Sequence, residues 1–447
     1  MNPSHIEYLW HVTVLSNFAR AYNKYTRTYS KAAIPESTYP DRFFLLRKGE
    51  LDIGIRKAGA LLTKLALPGN RLIALGTRVS VDQLKPNTRT GLGQYVESSI
   101  IHVEEVALIE DNDPDAWLVS VSTEEVSALS LQLLSPELHR YSEIKPRSFS
   151  ILPIARGCQA SCPFCFSEAS ASAEQEQAKL NLGHLRQFAE EARSRGAERF
   201  VITGGGEPGL VRHELLREVI TIGRQTLGKT ILITNGHHLA NRTPIALAEQ
   251  LADYANAGLS VLAISRHHYD ADASEQLMSL RTDVASIAQA WNQGRARWPY
   301  LRLRFTCVLQ KGCIDRVEAL EAYIDWTSNL GVSEICFKEL YVSTSVESVY
   351  HRHAANEWSH ANQVPLSLVL EFATRHGFEE IDRLPWGSPV FRGHWKGRPM
   401  QIAAYTEPSL FWERAHGIAR SWNLMSDGRC LVSLEDRASE ISLPVTA

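Results

Sequence analysis

The sequence predicts an α/β fold: a partial barrel of six β-α units, preceded by an α+β domain and followed by a C-terminal segment that closes the barrel. Two observations carry this expectation. From about Ser148 to Leu340, short apolar runs of strand length alternate with stretches of helical period. Such a series implies parallel strands joined by right-handed crossovers, and six units fall short of the eight of a full barrel. With 447 residues, 44% of them apolar, the chain can bury a sizeable core and hold two or three structural units. The expected divisions are 1–147, 148–341 and 342–447.

In the first division, HIEYLWHVTVLSNFARAY reads as a helix, with Ile6, Trp10, Val14, Phe18 and Tyr22 at near-helical spacing. RFFLLRKGELDIGIRK reads as a strand pair turning near Gly49, and SSIIHVEEVALIE and AWLVSVS as further strands. STEEVSALSLQLL opens with Ser122 and Glu125 in a capping-box pattern and reads as a helix. An accessory unit that covers the barrel or recruits a partner, or a purely structural extension, fits this composition.

The six strands of the second division are FSILPI, RFVIT, TILITNG, LSVLAIS, LRLRFTCVL and EICFKEL. Between them, LGHLRQFAEEARSRG places Leu185, Phe188, Ala189 and Ala192 on one helical face, with Gly196 as its stop. HELLREVITIGRQTLG is closed by Gly228, and TPIALAEQLADYANAG starts with Thr243 as N-cap and Pro244 in the first turn. Helices are also expected near 282–297 and in IDRVEALEAYIDWTSNLG. In the third division, WNLMSDGRCLVSLED reads as a hairpin turning at Asp427-Gly428, and Trp386, Trp395, Trp412 and Trp422 are expected chiefly as core.

The chemistry concentrates in RGCQASCPFCFSEAS, where Cys158, Cys162 and Cys165 follow the first strand within eight residues. Three soft thiolates on so short a loop suit an iron–sulfur cluster, zinc or Cu(I), and a three-ligand set leaves one position open. A zinc knuckle completed by His184 or Cys307 is the plain alternative, and a non-catalytic zinc-binding interaction module the rival function. About forty residues on, TGGGEP offers backbone that a ligand can approach closely. It lacks the Lys-Ser/Thr of a phosphate loop and the third glycine of a dinucleotide fingerprint.

The C-x-x-x-C-x-x-C spacing, Phe164 before the third cysteine, and Gly205-Gly206-Glu207 together resemble the radical S-adenosylmethionine (radical SAM) superfamily. The resemblance implies a partial (β/α)6 barrel and a [4Fe–4S] cluster on the three cysteines, with SAM on the fourth iron. Cleavage of SAM would then give a 5′-deoxyadenosyl radical that takes hydrogen from substrate. It further implies SAM contacts from Gly205, Gly206 and Glu207 to the amine, Phe164 and Val308 near the adenine, and Asn235 and Ser265 at strand ends. Arg266 would pair with the SAM carboxylate. His267 and His268 are candidate acid–base residues. Cys430, with Cys336 and Cys313, is a candidate hydrogen-atom donor. An electron donor such as flavodoxin or ferredoxin is the implied partner.

CFKELY and SDGRCL resemble segments of the molybdopterin-pathway GTP cyclase group, whose auxiliary-cluster cysteines and basic carboxyl terminus are absent here. The expected substrate is therefore a peptide or small natural-product precursor, with radical rearrangement or cyclisation of a nucleotide as the alternative. A net charge of −3 argues against nucleic acid or an anionic membrane as partner. MNPSHIEYLWHVTV does not read as a signal peptide, and no apolar run approaches the ~18 residues of a membrane helix. Seven cysteines, three of them on one loop, fit a reducing compartment, so a cytoplasmic location is expected.

Overall fold

The computed structural model describes residues 139–154, 157–167, 180–343, 348–350, 353–408 and 410–443, together with four strands nearer the amino terminus. Those strands are β1 (Leu9–Trp10), β2 (Arg42–Arg47), β3 (Glu105–Leu108) and β4 (Ala116–Ser120), paired antiparallel in the order β1-β2-β4-β3. They belong to a compact unit that covers residues 1–139. Strands are present within the expected runs 42–57, 98–110 and 116–122, the second strand of the first run lying outside the described residues, whereas Leu9 and Trp10 pair with Arg47 and Leu46 in a ladder where a helix was expected. The expected helix at STEEVSALSLQLL lies outside the described residues.

The second unit holds the six expected strands: β6 (Phe149–Leu152), β7 (Phe200–Ile202), β8 (Thr230–Thr234), β9 (Leu259–Ser265), β10 (Arg302–Leu309) and β11 (Glu334–Glu339), after a short β5 (Lys145–Pro146). All neighbours in the order β6-β7-β8-β9-β10-β11 are parallel. The crossovers are α1 (Leu182–Ser194), α2 (His213–Leu227), α3 (His237–Ala240), α4 (Pro244–Ala257), α5 (Ala271–Met278), α6 (Val284–Gly294) and α7 (Val317–Asn329). Helix ends follow local chemistry. Asn181 accepts the His184 amide at 3.0 Å to open α1, and Thr243 accepts the Ala246 amide at 3.3 Å to open α4. Gly258, at φ 99°, closes α4 in the left-handed conformation.

The strand period of two divides the sheet into two faces. Phe200, Ile202, Leu232, Leu262, Ile264, Leu303 and Phe305 join the main core with Leu185, Phe188, Leu216, Ile220 and Leu251 of the helices. The other face turns into the barrel, where Ile231, Val261 and Ala263 form a separate apolar layer with Val201 and Ile233.

The C-terminal segment departs from the expected cap, because it contributes strands to both edges of this same sheet. After α8 (Ala354–Asn362) and α9 (Ser367–Arg375) come β12 (Glu379–Arg383), β13 (Pro389–Trp395) and β14 (Arg398–Tyr405). Strand β14 lies parallel to β11. At the opposite edge, after a short β15 (Ile418–Ala419) paired with β5, β16 (Trp422–Met425) lies parallel to β6, followed by β17 (Cys430–Leu431) and β18 (Glu440–Ile441). Eight parallel strands therefore run from β14 to β16 without closing, in a sheet of twelve among the described residues. The expected hairpin at Asp427-Gly428 is present as β16 and β17.

Three of the four tryptophans expected as core are buried: Trp395, Trp412 and Trp422. Trp422 sits 1% exposed on β16, donates its indole N–H to the Ile144 carbonyl at 3.2 Å, and lies under the Arg195 guanidinium at 5.1 Å. Replacement by Ala leaves a large cavity between β16, β6 and α1. Trp422→Ala is expected to cost about 3–5 kcal/mol in denaturant unfolding. A loss below about 1 kcal/mol would mean that β16 is not an integral part of the barrel core.

Candidate active site

Parallel strands bring all their C-terminal ends to one side, so the segments that follow β6, β7, β8, β9 and β10 converge there. They line one end of a cavity of about 700 Å³ that continues down the inside of the sheet. Cys158, Cys162 and Cys165 lie together on its wall, free of disulfides, with Cys158 and Cys165 exposed. Their loop is tied down by two backbone hydrogen bonds, Glu207 N–H to the Gly157 carbonyl at 2.8 Å and Ser161 N–H to the Met278 carbonyl at 2.8 Å. Burial and the two neighbouring sulfurs push the Cys162 thiol up to about 12, and burial also raises Cys158. Cys158 and Cys162 therefore hold their protons at neutral pH, and a metal centre that binds them must displace those protons.

Three soft thiols on one loop are a donor set that an iron–sulfur cluster can take. Among the described residues, no group of three His, Cys, Asp or Glu is gathered closely enough to hold one metal ion. A [4Fe–4S] cube takes one thiolate per iron at separate corners, so its sulfurs stand farther apart than the ligands of one zinc. The fourth ligands proposed for a zinc knuckle are elsewhere. Cys307 is fully buried with its thiol on the His267 carbonyl at 3.6 Å, and His184 packs on Phe188 of α1 at 4.7 Å.

The glycine motif abuts the cysteine loop. Gly205 has φ 91°, and a Cβ there would stand 2.5 Å from the Ile154 carbonyl oxygen, so only glycine fits. Glu207 is 3% exposed, and its carboxylate accepts from the Gly209 amide at 2.7 Å, the Asn235 amide at 2.8 Å and the Thr234 hydroxyl. Burial pushes this carboxyl up while the three donors oppose the shift. Asn235 turns its amide toward Cys158 Sγ at 3.6 Å and Gln159 Oε1 at 3.2 Å.

Strand alternation sorts the remaining expected residues. Ser265 and His267 line the cavity, as do Phe164, Gly205, Gly206, Glu207, Asn235 and Val308. Arg266, between them, points outward: its Nε donates to the His268 carbonyl at 2.8 Å and its guanidinium lies 5.6 Å over the Trp326 ring. That placement sets it apart from the cavity wall where a SAM carboxylate was expected to meet it. His268 is likewise not on that wall, and its Nδ1 accepts the Asp270 amide at 3.0 Å.

His267 is 4% exposed, and its Nδ1 accepts the Val308 amide at 3.1 Å, which leaves its proton on Nε2. Its ring meets the Phe164 ring edge-on at 5.1 Å. Burial, then Arg266 and Lys338, lower it to about 3, so it is a neutral donor and not a proton carrier near pH 7.

Cys430 is corrected by the fold. It is fully buried on β17 in the main core, away from the cavity wall, because the hairpin turns its side chain inward among apolar groups. Cys336 on β11 does line the cavity, together with Lys338 two residues on. Residues that motif reasoning missed come from the C-terminal segment: Tyr405, Glu407 and Arg420 join the same wall. Glu407 is bonded to both Lys338 and Arg420, which hold its carboxyl down at about 2 against its burial.

A parallel partial barrel with three free thiols after its first strand makes this an α/β protein with a thiol-rich loop at the mouth of its cavity. Residues 152–292 match the family model of the Radical SAM superfamily, so the chain carries a radical SAM domain over that stretch. The cofactors of this superfamily are a [4Fe–4S] cluster and SAM. No curated protein sequence matches the chain.

Solved structures similar to it include Streptococcus suis SuiB bound to S-adenosylmethionine, at 17% identity over 65% of this chain and 58% of that one, TM-score 0.40. Native anSMEcpe with bound AdoMet aligns at 14% identity over 42% of this chain and 51% of that one, TM-score 0.30. Coproporphyrinogen III oxidase (HemN) from Escherichia coli aligns at 15% identity over 54% and 56%, TM-score 0.35. The chain thus spans less than two thirds of each of these three. Among the described residues, no helix is long and apolar enough to cross a membrane.

Two outcomes are expected. Gly205→Ala places a side chain in the left-handed region and against a carbonyl. It should cost about 2 kcal/mol or more and weaken SAM binding, measured by unfolding and calorimetry. Gly204→Ala, with nothing within 4 Å of its added Cβ, should cost much less.

The second outcome concerns pH. Because the folded pKa of His267 lies below its ordinary 6.5, the unfolded chain binds the extra proton. This contribution to stability is complete above pH 6.5 and is lost as pH falls toward about 3. His267→Gln, which keeps an acceptor for the Val308 amide, should flatten that slope in unfolding titrations. An unchanged slope would place the pH dependence on other groups.

Proposed function

We propose that this protein cleaves SAM reductively at a [4Fe–4S] cluster held by Cys158, Cys162 and Cys165, and takes a hydrogen atom from a peptide or small natural-product substrate. A cluster bound there supplies the electron that splits SAM into methionine and a 5′-deoxyadenosyl radical. The observation that carries this reading is the convergence of the three thiols with Gly205, Gly206, Glu207, Asn235, Ser265 and Val308 on one cavity wall.

Each group has a part. The backbone at Gly205 and Gly206 lies open for the SAM amine, while Glu207 holds the neighbouring turns in register. Asn235 and Ser265 present polar groups to the ribose and methionyl portions. Phe164 and Val308 supply apolar contact for the adenine, and His267 offers Nε2–H as a hydrogen-bond donor. Near the cysteine loop, Phe166 stacks on Tyr350 at 4.4 Å and meets Tyr341 at 6.2 Å, an aromatic cluster that excludes water from reactive species.

Exposure of Cys158 and Cys165 leaves a route for a cytoplasmic electron donor such as flavodoxin or ferredoxin. A peptide substrate would give residues 1–147 a recruiting role, and binding of a candidate leader peptide to the full chain tests that directly.

The decisive experiment is oxygen-free reconstitution with iron and sulfide, followed by reduction in the presence of SAM. Wild type is expected to be brown and to form 5′-deoxyadenosine. Cys162→Ala should lose that product by at least about 100-fold with its melting temperature nearly unchanged. Product formed at the wild-type rate by Cys162→Ala, or a colourless zinc-loaded wild type, overturns the reading.

A further inference from the structure

We propose that the N-terminal mouth of the partial barrel is a second ligand site, built for a phosphate-type oxyanion of two or more charges such as pyrophosphate or a phosphorylated small molecule. The cavity does not stop at the apolar layer of Ile231, Val261 and Ala263. Its wall continues past that layer to Arg199, Lys229, Arg302 and Arg304, where the strands begin. From Lys229 to Asn235 the chain advances six residues, about 20 Å of strand, so this mouth is remote from the cysteine loop.

Ladder register fixes the spacing of these cations. Phe200 N–H donates to the Lys229 carbonyl at 2.8 Å, which sets Arg199 and Lys229 on neighbouring strands about 5 Å apart. Arg302 is level with Val261, and Val261 with Ile231, so Arg302 stands two strands, about 10 Å, from the β8 position two residues beyond Lys229. Two phosphoryl groups of one ligand can bridge such a span.

The carboxylates nearby are already engaged. Glu334, 8% exposed, accepts Arg302 at 2.7 Å on one oxygen and Arg304 at 3.1 Å on the other. Glu198 is held by Arg147 at 2.9 and 3.1 Å. Exposed Asp382 accepts the Arg383 amide at 2.9 Å and attracts Arg199 only at longer range. Arg199 and Lys229 themselves make no side-chain hydrogen bond or ion pair among the described residues.

Two unpaired cations side by side, half-buried, carry an electrostatic cost. Burial, with Arg199, Arg302 and Arg304 close by, pushes Lys229 down to about 8. Burial and neighbouring guanidiniums push Arg199 down as well. A bound dianion reverses that cost. The planar guanidinium fork and the ammonium point charge together supply the donors that phosphate oxygens accept.

The test titrates inorganic pyrophosphate by calorimetry into the cluster-loaded full chain, with and without SAM, with sulfate at equal ionic strength as control. One-site saturable binding is expected, unchanged by SAM and weaker by about tenfold or more in Lys229→Gln and in Arg199→Gln. Absence of saturable binding overturns the proposal. So does equal affinity in both variants, or displacement by SAM. Should the Gln variants fail to fold, Lys229→Arg is read instead, and retention within about threefold alongside a pyrophosphate-induced rise in wild-type melting temperature supports the site. A lack of either effect counts against it. Pyrophosphate binding and SAM cleavage are separate readouts, so either reading can fail without the other.

Discussion

One buried carboxylate holds the catalytic end together. Glu207 sits at the turn after β7, gives its amide to Gly157 of the cysteine loop, and receives the Asn235 amide and Thr234 hydroxyl from the end of β8. Three consecutive strand ends are therefore fastened to a single residue. A carboxylate with 3% exposure is stable only because its oxygens are met by several donors. That requirement is also what fixes the loops, since moving any one of them strands a charge. The cysteine spacing acquires its geometry from this anchor as much as from its own sequence.

The open edge of the sheet poses the opposite problem. Eight parallel strands that do not close leave two edges, and the chain covers both with short antiparallel strands from its C-terminal segment. Near the lateral gap, Glu407 follows β14 and binds Lys338 of β11 and Arg420 ahead of β16. The nearby Glu413 meets Arg420 through its backbone amide, whereas Glu407 holds the guanidinium. Burial pushes Glu413 up to about 8, and it serves instead as an acceptor for the Arg420 amide at 2.6 Å. Two buried acidic residues six positions apart are thus shifted in opposite directions, Glu413 upward by burial and Glu407 downward by its two cations.

What the sequence made legible follows from where information is local. The strand and helix series from 148 to 341 could be read because each element carries its own period and caps, as at Thr243 and Gly258. The cysteine triplet and glycine turn could be read because their spacing is short. Residues that act across long separations could not. Nothing near Arg420 announces that it meets Glu407, and β14 and the place of β16 beside β6 were hidden because their partners lie far off in sequence. The outward turn of Arg266 was legible in the strand period. In LSVLAIS the alternation that turns Ser265 inward turns Arg266 outward and returns His267 to the cavity. Cys430 gave no such clue, since its two-residue strand is too short to show a face.

The same alternation explains why one cavity can have two chemically distinct ends. Each inward strand position belongs to a layer, and layers are set by distance along the strand. At the C-terminal ends the inward positions are small or polar, such as Ser265, beside turns that can be shaped by glycine. In the middle, on β7, β8 and β9, they are apolar, as at Val201, Ile231 and Ala263. At the N-terminal ends they are long and cationic, Arg199, Lys229 and Arg302. Long flexible side chains suit that position because their stems extend the apolar layer while their charged heads reach solvent. A parallel barrel normally spends its N-terminal face on stability. Here that face spends stability on unpaired charge, and this departure is what separates it from a merely structural rim.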